Sequence, residues 1–392
     1  NMCSLGSTLV PSATQTITFI SAGAPNPVIT AGVGTTTNLD AIVKLVGVDY
    51  VTFNGINLTE SAGNTTSATR AEWGYALLKC DGNNGANNNT IINCSITLNK
   101  AYTSSVGIYS GNHTAASTTG LTYSGLANDP AQVDVSRNGR NTFYGNAIQN
   151  VYTGIALNGN SSSSGNQSLN DTLNAIGVIG QAANVITNFG GAASAVVAIN
   201  ETNQRGLSIC NNTITGGTGS TSTVTGISMT SGVWGEIKNN TLTLSSSGIT
   251  SAAMVGITCG FSGGSLANPN IITISGNNVT MSSATMTTSA ATGITSSASG
   301  TGAQISVTGN TVNGCSFSAT TTGAFTGISM SHTSASTVNT VTNNTVTNNS
   351  LAGTGQFLGL AGFNTTSAVV SGSLTFNNNT VSNNTKLSTG NM

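Results

Sequence analysis

The tightest constraint on this chain is a short frame that recurs along it. An apolar residue is followed three positions later by asparagine and five positions later by a second apolar residue. Ile237-Lys238-Asn239-Asn240-Thr241-Leu242 shows it most plainly. The same frame holds Asn212, Asn277, Asn310, Asn344 and Asn379, and nearer the N-terminus Asn54 and Asn146. Cys94 stands in the asparagine place between Ile91 and Ile96, and Leu173–Ile176–Val178 is a weak member. A second motif alternates with the first: Gly107-Ile108, Gly154-Ile155, Gly226-Ile227, Gly256-Ile257, Gly293-Ile294, Gly327-Ile328 and Gly359-Leu360. From Asn212 onward the steps between asparagines run from 28 residues (Asn212 to Asn240) to 37 (Asn240 to Asn277).

Each unit holds strands of about five residues, too short and too strictly alternating for helices. One such unit cannot bury its own apolar face, whereas stacked copies bury a continuous core. The frame breaks alternation at the asparagine, so the chain turns there, and asparagine tolerates the left-handed conformation of a corner. Stacked side-chain amides can hydrogen-bond from one copy to the next, as in cross-β ladders. The pattern therefore predicts an all-β fold: a right-handed parallel β-helix of about ten coils with an asparagine corner ladder. An antiparallel sandwich is the alternative, but it needs no asparagine at fixed phase. At a strand spacing of about 4.8 Å, ten coils make a rod roughly 50 Å long.

The repeat spans most of the 392 residues, so one solenoid is expected rather than several domains. Residues 1–40 read as an entry or capping segment and residues 41–392 as the helix proper, with insertions at 110–141 and 158–165. Ending at Met392 without a clear cap and beginning at Asn1, the chain reads as a piece of a longer protein. No apolar run is long enough to span a membrane. Net charge is −1 and only 5% of residues are charged, which argues against nucleic-acid partners, since phosphate needs a basic patch. The six cysteines, Cys3, Cys80, Cys94, Cys210, Cys259 and Cys315, lack zinc-like spacing. Cys94 reads as a buried thiol at an inward corner, and a bridge from Cys80 to Cys94 is the alternative.

Charge and aromatic residues concentrate in the N-terminal half. Asn239 to Thr385 holds no Asp, Glu, Lys or Arg, and all seven tyrosines lie between Tyr50 and Tyr152. Parallel β-helices are frequent among polysaccharide lyases and hydrolases, which need clustered carboxylates with Lys or Arg. The one candidate constellation is Asp129, Asp134, Arg137 and Arg140, with Glu201 and Arg205 as neighbours; loop ion pairs and turn caps are the favoured explanation of it, ahead of catalysis. His113 and His332 stand alone, so neither a metal nor a cofactor is expected. Aromatic rings stack on sugar faces, which makes Tyr109, Tyr144 and Tyr152 the candidate ligand-binding residues. Pairs flanking the inward residue after each corner, such as Thr213/Thr215, Thr241/Thr243 and Thr345/Thr347, should form two outward columns without charge.

Alternating GIxM-like strands and IxNNTI corners resemble the repeats of right-handed parallel β-helix proteins. With the opening VDYVTFNGINL and the low-charge Ser/Thr/Asn/Gly texture, the chain is similar to large surface proteins of Bacteroidota exported by the type IX secretion system. That resemblance implies an extracellular, cell-surface location and a glycan or cell-surface partner, or self-association. It also implies a site for O-glycosylation at Asp171-Thr172-Leu173, on Thr172. The expected function is a non-enzymatic adhesin, stalk or filament segment. A carbohydrate-active β-helix enzyme is the alternative, and an ice-binding protein a further one, because regular T-x-T columns resemble those of ice-binding β-helices.

Overall fold

The fold is a parallel β-helix, described by a computed structural model over residues 11–34, 39–121, 134–161, 169–191, 193–264, 269–300, 302–332, 338–364 and 373–387. One coil shows the path. Met254–Gly260 forms a first face, Ile271–Ser275 a second and Asn278–Ser283 a third, and Ala291–Ser296 then returns to the first face one coil on. Each strand pairs in parallel with its counterpart in the coils before and after. Among the described residues the second and third faces each carry eleven rungs and the first carries ten. In two coils the first and second faces join as single bent strands, Val196–Cys210 and Val224–Lys238. Ser316–Thr321, Ser350–Gly353 and Thr385–Lys386 add a short fourth column near the C-terminus. Residues 17–30 supply the first rung: Ile17–Ile20 and Val28–Thr30 pair with Val51–Asn54 and Asn57–Thr59.

Alternation along each strand sends every second side chain inward, and the registers stack like on like. Ile155, Ile199, Ile227, Ile257, Ile294 and Ile328 make one such column on the first face. Ile209, Ile237, Ile274, Val307 and Val341 make the second, and Ile214, Leu242, Val279, Val312 and Val346 the third. All are buried in one continuous core. The glycine before most first-face isoleucines, with Ala198 before Ile199 as the exception, follows from the narrowness of that core. A Cβ on Gly293 would meet the Gly327 carbonyl oxygen at 2.5 Å and the Val312 methyls at 2.8 and 2.9 Å. First-face backbone thus lies directly against third-face side chains, and at Gly293 a Cβ has no room between them.

Between the second and third faces runs the asparagine ladder. Asn240 donates to Asn277 Oδ1 through both its backbone N–H (3.0 Å) and its side-chain amide (2.9 Å). Asn277 donates to Asn310, Asn310 to Asn344, and Asn344 to Asn379 in the same way. Each side-chain amide also donates back to a carbonyl of the preceding coil, as Asn277 does to Ile237 O at 2.8 Å. The ladder continues through Asn212, Asn184 and Asn146, and the Cys94 backbone N–H donates to Asn146 Oδ1.

Three details differ from the expectation. The left-handed residue is not the ladder asparagine but the one before it: Asn93, Asn211, Asn239, Asn343 and Asn378, or Gly145, Gly276 and Gly309, with φ between 52° and 67°. In an Asn-Asn pair the first residue turns the chain and the second bonds along the stack. Asn54 lies outside the ladder, because Phe53 pairs with Ile91 and Leu58 with Ile96, which puts Ile56 opposite Cys94. Asn54 instead accepts from the Asn93 side chain on the outside. Asn184 belongs to the ladder but escapes the sequence frame, since residues 177–183 are inserted between Ile176 and it. The Cys80–Cys94 bridge does not form: Cys80 is exposed and Cys94 is a buried free thiol. Burial pushes the thiols of Cys259 and Cys315 up to about 12.

Two substitutions test this architecture. Asn277→Ala should cost about 2–4 kcal/mol, because it strands the Asn240 donors in a buried site and each unpaired group costs about 1–3 kcal/mol. Gly293→Ala should cost about 1–3 kcal/mol through overpacking. Chemical denaturation of each variant against wild type measures both, and an unchanged midpoint would contradict the role given to that residue.

Candidate functional site

Two regions carry chemistry: a buried charged cluster in the N-terminal half and the outer surface of the third face. The cluster begins at Lys79, the last residue of Trp73–Lys79. Tyr75 and Leu77 of that strand lie in the core, so alternation turns Lys79 inward as well. Its Nζ lies 3.8 Å from Asp171 Oδ1, with both side chains fully buried, and donates to the Ser136 carbonyl. Asp171 occupies a corner position like that of a ladder asparagine. Ala86 N–H donates to Asn138 Oδ1 and Asn138 N–H to Asp171 Oδ1, at 2.8 and 3.0 Å. Glu201 stands in an inward column between Leu157 and Met229. It is fully buried, and neither of its carboxyl oxygens has a hydrogen-bond partner; Asp171 Oδ2 has none either.

Electrostatics follow from this burial. Desolvation lowers Lys79 to about 8, against the pull of Asp171 and with a push from Arg137. Desolvation raises Asp171, and it raises Glu201 well above the usual carboxylate range, with the Asp171 charge adding to the shift. Burial and the Asp171 charge thus both favour the neutral form of the Glu201 carboxyl.

Of the residues that sequence singled out for catalysis, Asp134, Arg137 and Arg140 come together. Arg137 and Arg140 reach the Asp134 carboxylate at 3.3 and 2.9 Å. Asp129 lies outside the described residues. Arg205 is a neighbour whose charge acts on Arg137, and its guanidinium lies 4.7 Å from the centre of the Trp234 ring. Lys79 and Asp171 were not singled out; the signal was a lysine closing the apolar run Tyr75–Leu78 in inward phase.

The three tyrosines do not converge. Tyr109 lies on the first face, stacked on Trp73 at 4.4 Å and 4°. Tyr144 lies half-buried on the second face. Tyr152 is buried in the turn before Thr153–Asn158, its hydroxyl donating to Ala195 O at 2.7 Å. Trp73 and Tyr109 belong to a small apolar cluster outside the solenoid wall, packed with Leu39, Val46 and Ala115. His113 completes it: Nδ1–H donates to Thr114 O at 2.8 Å and Nε2 accepts from the Tyr109 hydroxyl at 3.0 Å. Thr172 is buried, with its hydroxyl donating to Asn170 O. His332 ends the strand Phe325–His332. Among the described residues no group of three His, Cys, Asp or Glu side chains is placed to hold a metal, and no helix is long and apolar enough to cross a membrane.

The third face presents two outward columns over eleven rungs. Val28/Thr30, Asn57/Thr59, Ser95/Thr97, Ala147/Gln149 and Val185/Thr187 lead into Thr213/Thr215, Thr241/Thr243, Asn278/Thr280, Thr311/Asn313 and Thr345/Thr347, ending at Thr380/Ser382. Not one of these positions is charged. Hydroxyls link along the columns, as from Thr347 to Ser382 at 3.2 Å and from Thr280 to Asn313 O at 2.8 Å. Ten steps of about 4.8 Å make the strip roughly 50 Å long. A depression of about 240 Å³, lined by Ser245, Ser247, Ser282 and Ser318, adjoins this surface, and another of about 270 Å³ lies between first-face Phe357 and Gly359 and third-face Val381 and Ser382.

No family model matches the chain, and no curated protein matches it. Among solved structures it is similar to the A-module of the mannuronan C-5 epimerase AlgE6 of Azotobacter vinelandii. Identity is 12%, 95% of this chain and 88% of that one are covered, and the TM-score is 0.29. A likeness at that score carries no argument, and the fold assignment rests on the strand pairing itself.

His113 makes this half of the molecule acid-sensitive. Burial lowers its folded value below 6.5, while the Thr114 and Ser117 backbone contacts pull it up and Lys44 adds to the lowering. The unfolded chain thus binds the proton more readily. The contribution is present in full above about pH 6.5 and falls away as pH drops through that value toward the lower folded one. His113→Gln should flatten the loss of stability between pH 7 and 5, measured as melting temperature against pH; an unchanged slope would show that His113 does not titrate in this range.

Proposed function

We propose that this chain is a carbohydrate-binding solenoid displayed outside the cell, serving as an adhesin or stalk segment, with a neutral polysaccharide laid along the third face. The uncharged outward strip carries the proposal. Ordered hydroxyls and methyls at a fixed repeat offer hydrogen bonds and apolar contact together. Desolvating them costs far less than desolvating charges. Acid–base chemistry finds little support on this strip, which has no ionisable side chain. The tyrosine rings expected to bind sugars are engaged with protein partners at Tyr109 and Tyr152, which shifts the proposed contact from residues 50–152 to the strip.

Co-sedimentation with insoluble cellulose and chitin tests this reading. Wild-type protein should sediment, and the triple variant Thr215→Lys, Thr243→Lys, Thr280→Lys should bind at least about tenfold more weakly, since three charges would have to be desolvated. Equal binding by both proteins would move the site off the third face. Absence of binding together with inhibition of ice recrystallisation would replace the glycan by ice as the ligand of the same columns.

A second reading, a carbohydrate-active enzyme, draws on Asp134, a part-exposed carboxylate between two guanidinium groups on the 110–141 insertion. Acidic and neutral polysaccharides incubated with the protein should keep their chain length and composition under the binding proposal. Turnover that disappears in Asp134→Asn would establish the enzyme instead.

A further inference from the structure

The Lys79–Asp171–Glu201 cluster has no part in the proposed binding strip and is sealed from any external substrate. A fully buried amine and a fully buried carboxyl lie 3.8 Å apart, and a second buried carboxyl with no hydrogen-bond partner, Glu201, stands on the strand of the next coil after Asp171. Asp171 pairs with Gln204, on the strand that carries Glu201 three residues earlier. Keeping two charges here is expensive, because each loses its hydration and Asp171 Oδ2 gains no donor in return. We propose that Lys79 and Asp171 are joined by an intramolecular amide bond, formed within the folded chain with Glu201 as the proton-transfer group.

The chemistry balances without an oxidant, reductant or co-reactant. The pair reacts in its neutral form, amine and carboxylic acid, which is reached from the ion pair by one proton transfer. Nζ attacks Asp171 Cγ and a C–N bond forms. Neutral Glu201 donates a proton to the departing oxygen and recovers one from the nitrogen. The C–O bond breaks, and one water leaves. Two buried ions become one neutral amide, which removes the desolvation cost of both. Burial favours each requirement: it lowers the lysine to about 8, raises Asp171, and favours the protonated form of Glu201. Arg137, whose guanidinium also acts on Lys79 and Asp171, favours the neutral amine. The bond would tie the strand Trp73–Lys79 to the short strand Asp171–Thr172, across the insertion that interrupts the repeat.

Mass spectrometry of the denatured full chain decides the matter. The wild-type mass should be lower than the sequence mass by one water. Trypsin does not cut after an amidated lysine, so digestion should give a branched product joining residues 71–100 to residues 141–205. Lys79→Arg and Asp171→Ala should restore the full mass and the linear peptides. Asp171→Asn should still form the bond, now with loss of one ammonia. Glu201→Gln keeps both reactants and should lower the cross-linked fraction at least tenfold. A wild-type chain of full mass, cut by trypsin at Lys79, would overturn the proposal whatever the variants do. A branched product undiminished in Glu201→Gln would remove Glu201 from the reaction.

Discussion

Everything in this fold depends on satisfying the backbone at the corner between the second and third faces. A parallel coil must turn there within about two residues, and a turn takes N–H and C=O groups out of the ladder that pairs them elsewhere. The asparagine amide replaces what is lost. Its oxygen accepts the backbone N–H of the corner in the preceding coil, and its nitrogen donates to a carbonyl one coil back and to the next amide. No other side chain of that length offers both a two-acceptor oxygen and two donors. The corner therefore fixes coil register as well as chain direction, and a one-residue slip would break the ladder and expose three apolar columns together.

This is also why the sequence was so readable in one half and less so in the other. From Asn212 onward every coil repeats the same corner without interruption, and the inward columns follow by counting. Before Asn212 the phase is disturbed. Residues 177–183 separate Ile176 from Asn184, so the frame skips a true ladder member. Near the start Asn54 satisfies the frame from Val51, yet register places it two positions short, where it bonds outward to Asn93. The frame also did not separate the two asparagines of a pair. Conformation and hydrogen bonding select for the same residue type, one through tolerance of positive φ and the other through a bifunctional amide.

The functional regions were legible to different degrees for a related reason. The outward columns follow from alternation alone, so their composition could be read without coordinates. The charged cluster could not. Lys79 and Asp171 are 92 residues apart and meet where a second, shorter ladder from Ala86 through Asn138 to Asp171 lies beside the first face. Asp134, Arg137 and Arg140 are local in sequence and were found for that reason. Their proximity makes an ion-pair group, and such groups part-exposed at a surface contribute little to stability.

The two halves of the solenoid solve one problem in different ways. In the C-terminal half, where no charge occurs between Asn239 and Thr385, amides and hydroxyls carry the buried side-chain hydrogen bonds among the described residues. In the N-terminal half insertions break the repeat, and the interior takes in Lys79, Asp171 and Glu201 at positions where neighbouring coils place Leu157 and Met229 or an asparagine. Carboxylates and ammonium groups are poor substitutes for amides in a dry core, because each carries a charge that hydrogen bonds to neutral partners only partly offset. Their presence at an interrupted region, and their absence from the uninterrupted one, is what a covalent clamp would require. A regular ladder holds itself in register through every coil. At Lys79, Asp171 and Glu201 the interior polar groups are not amides, and the proposed bond would supply one there.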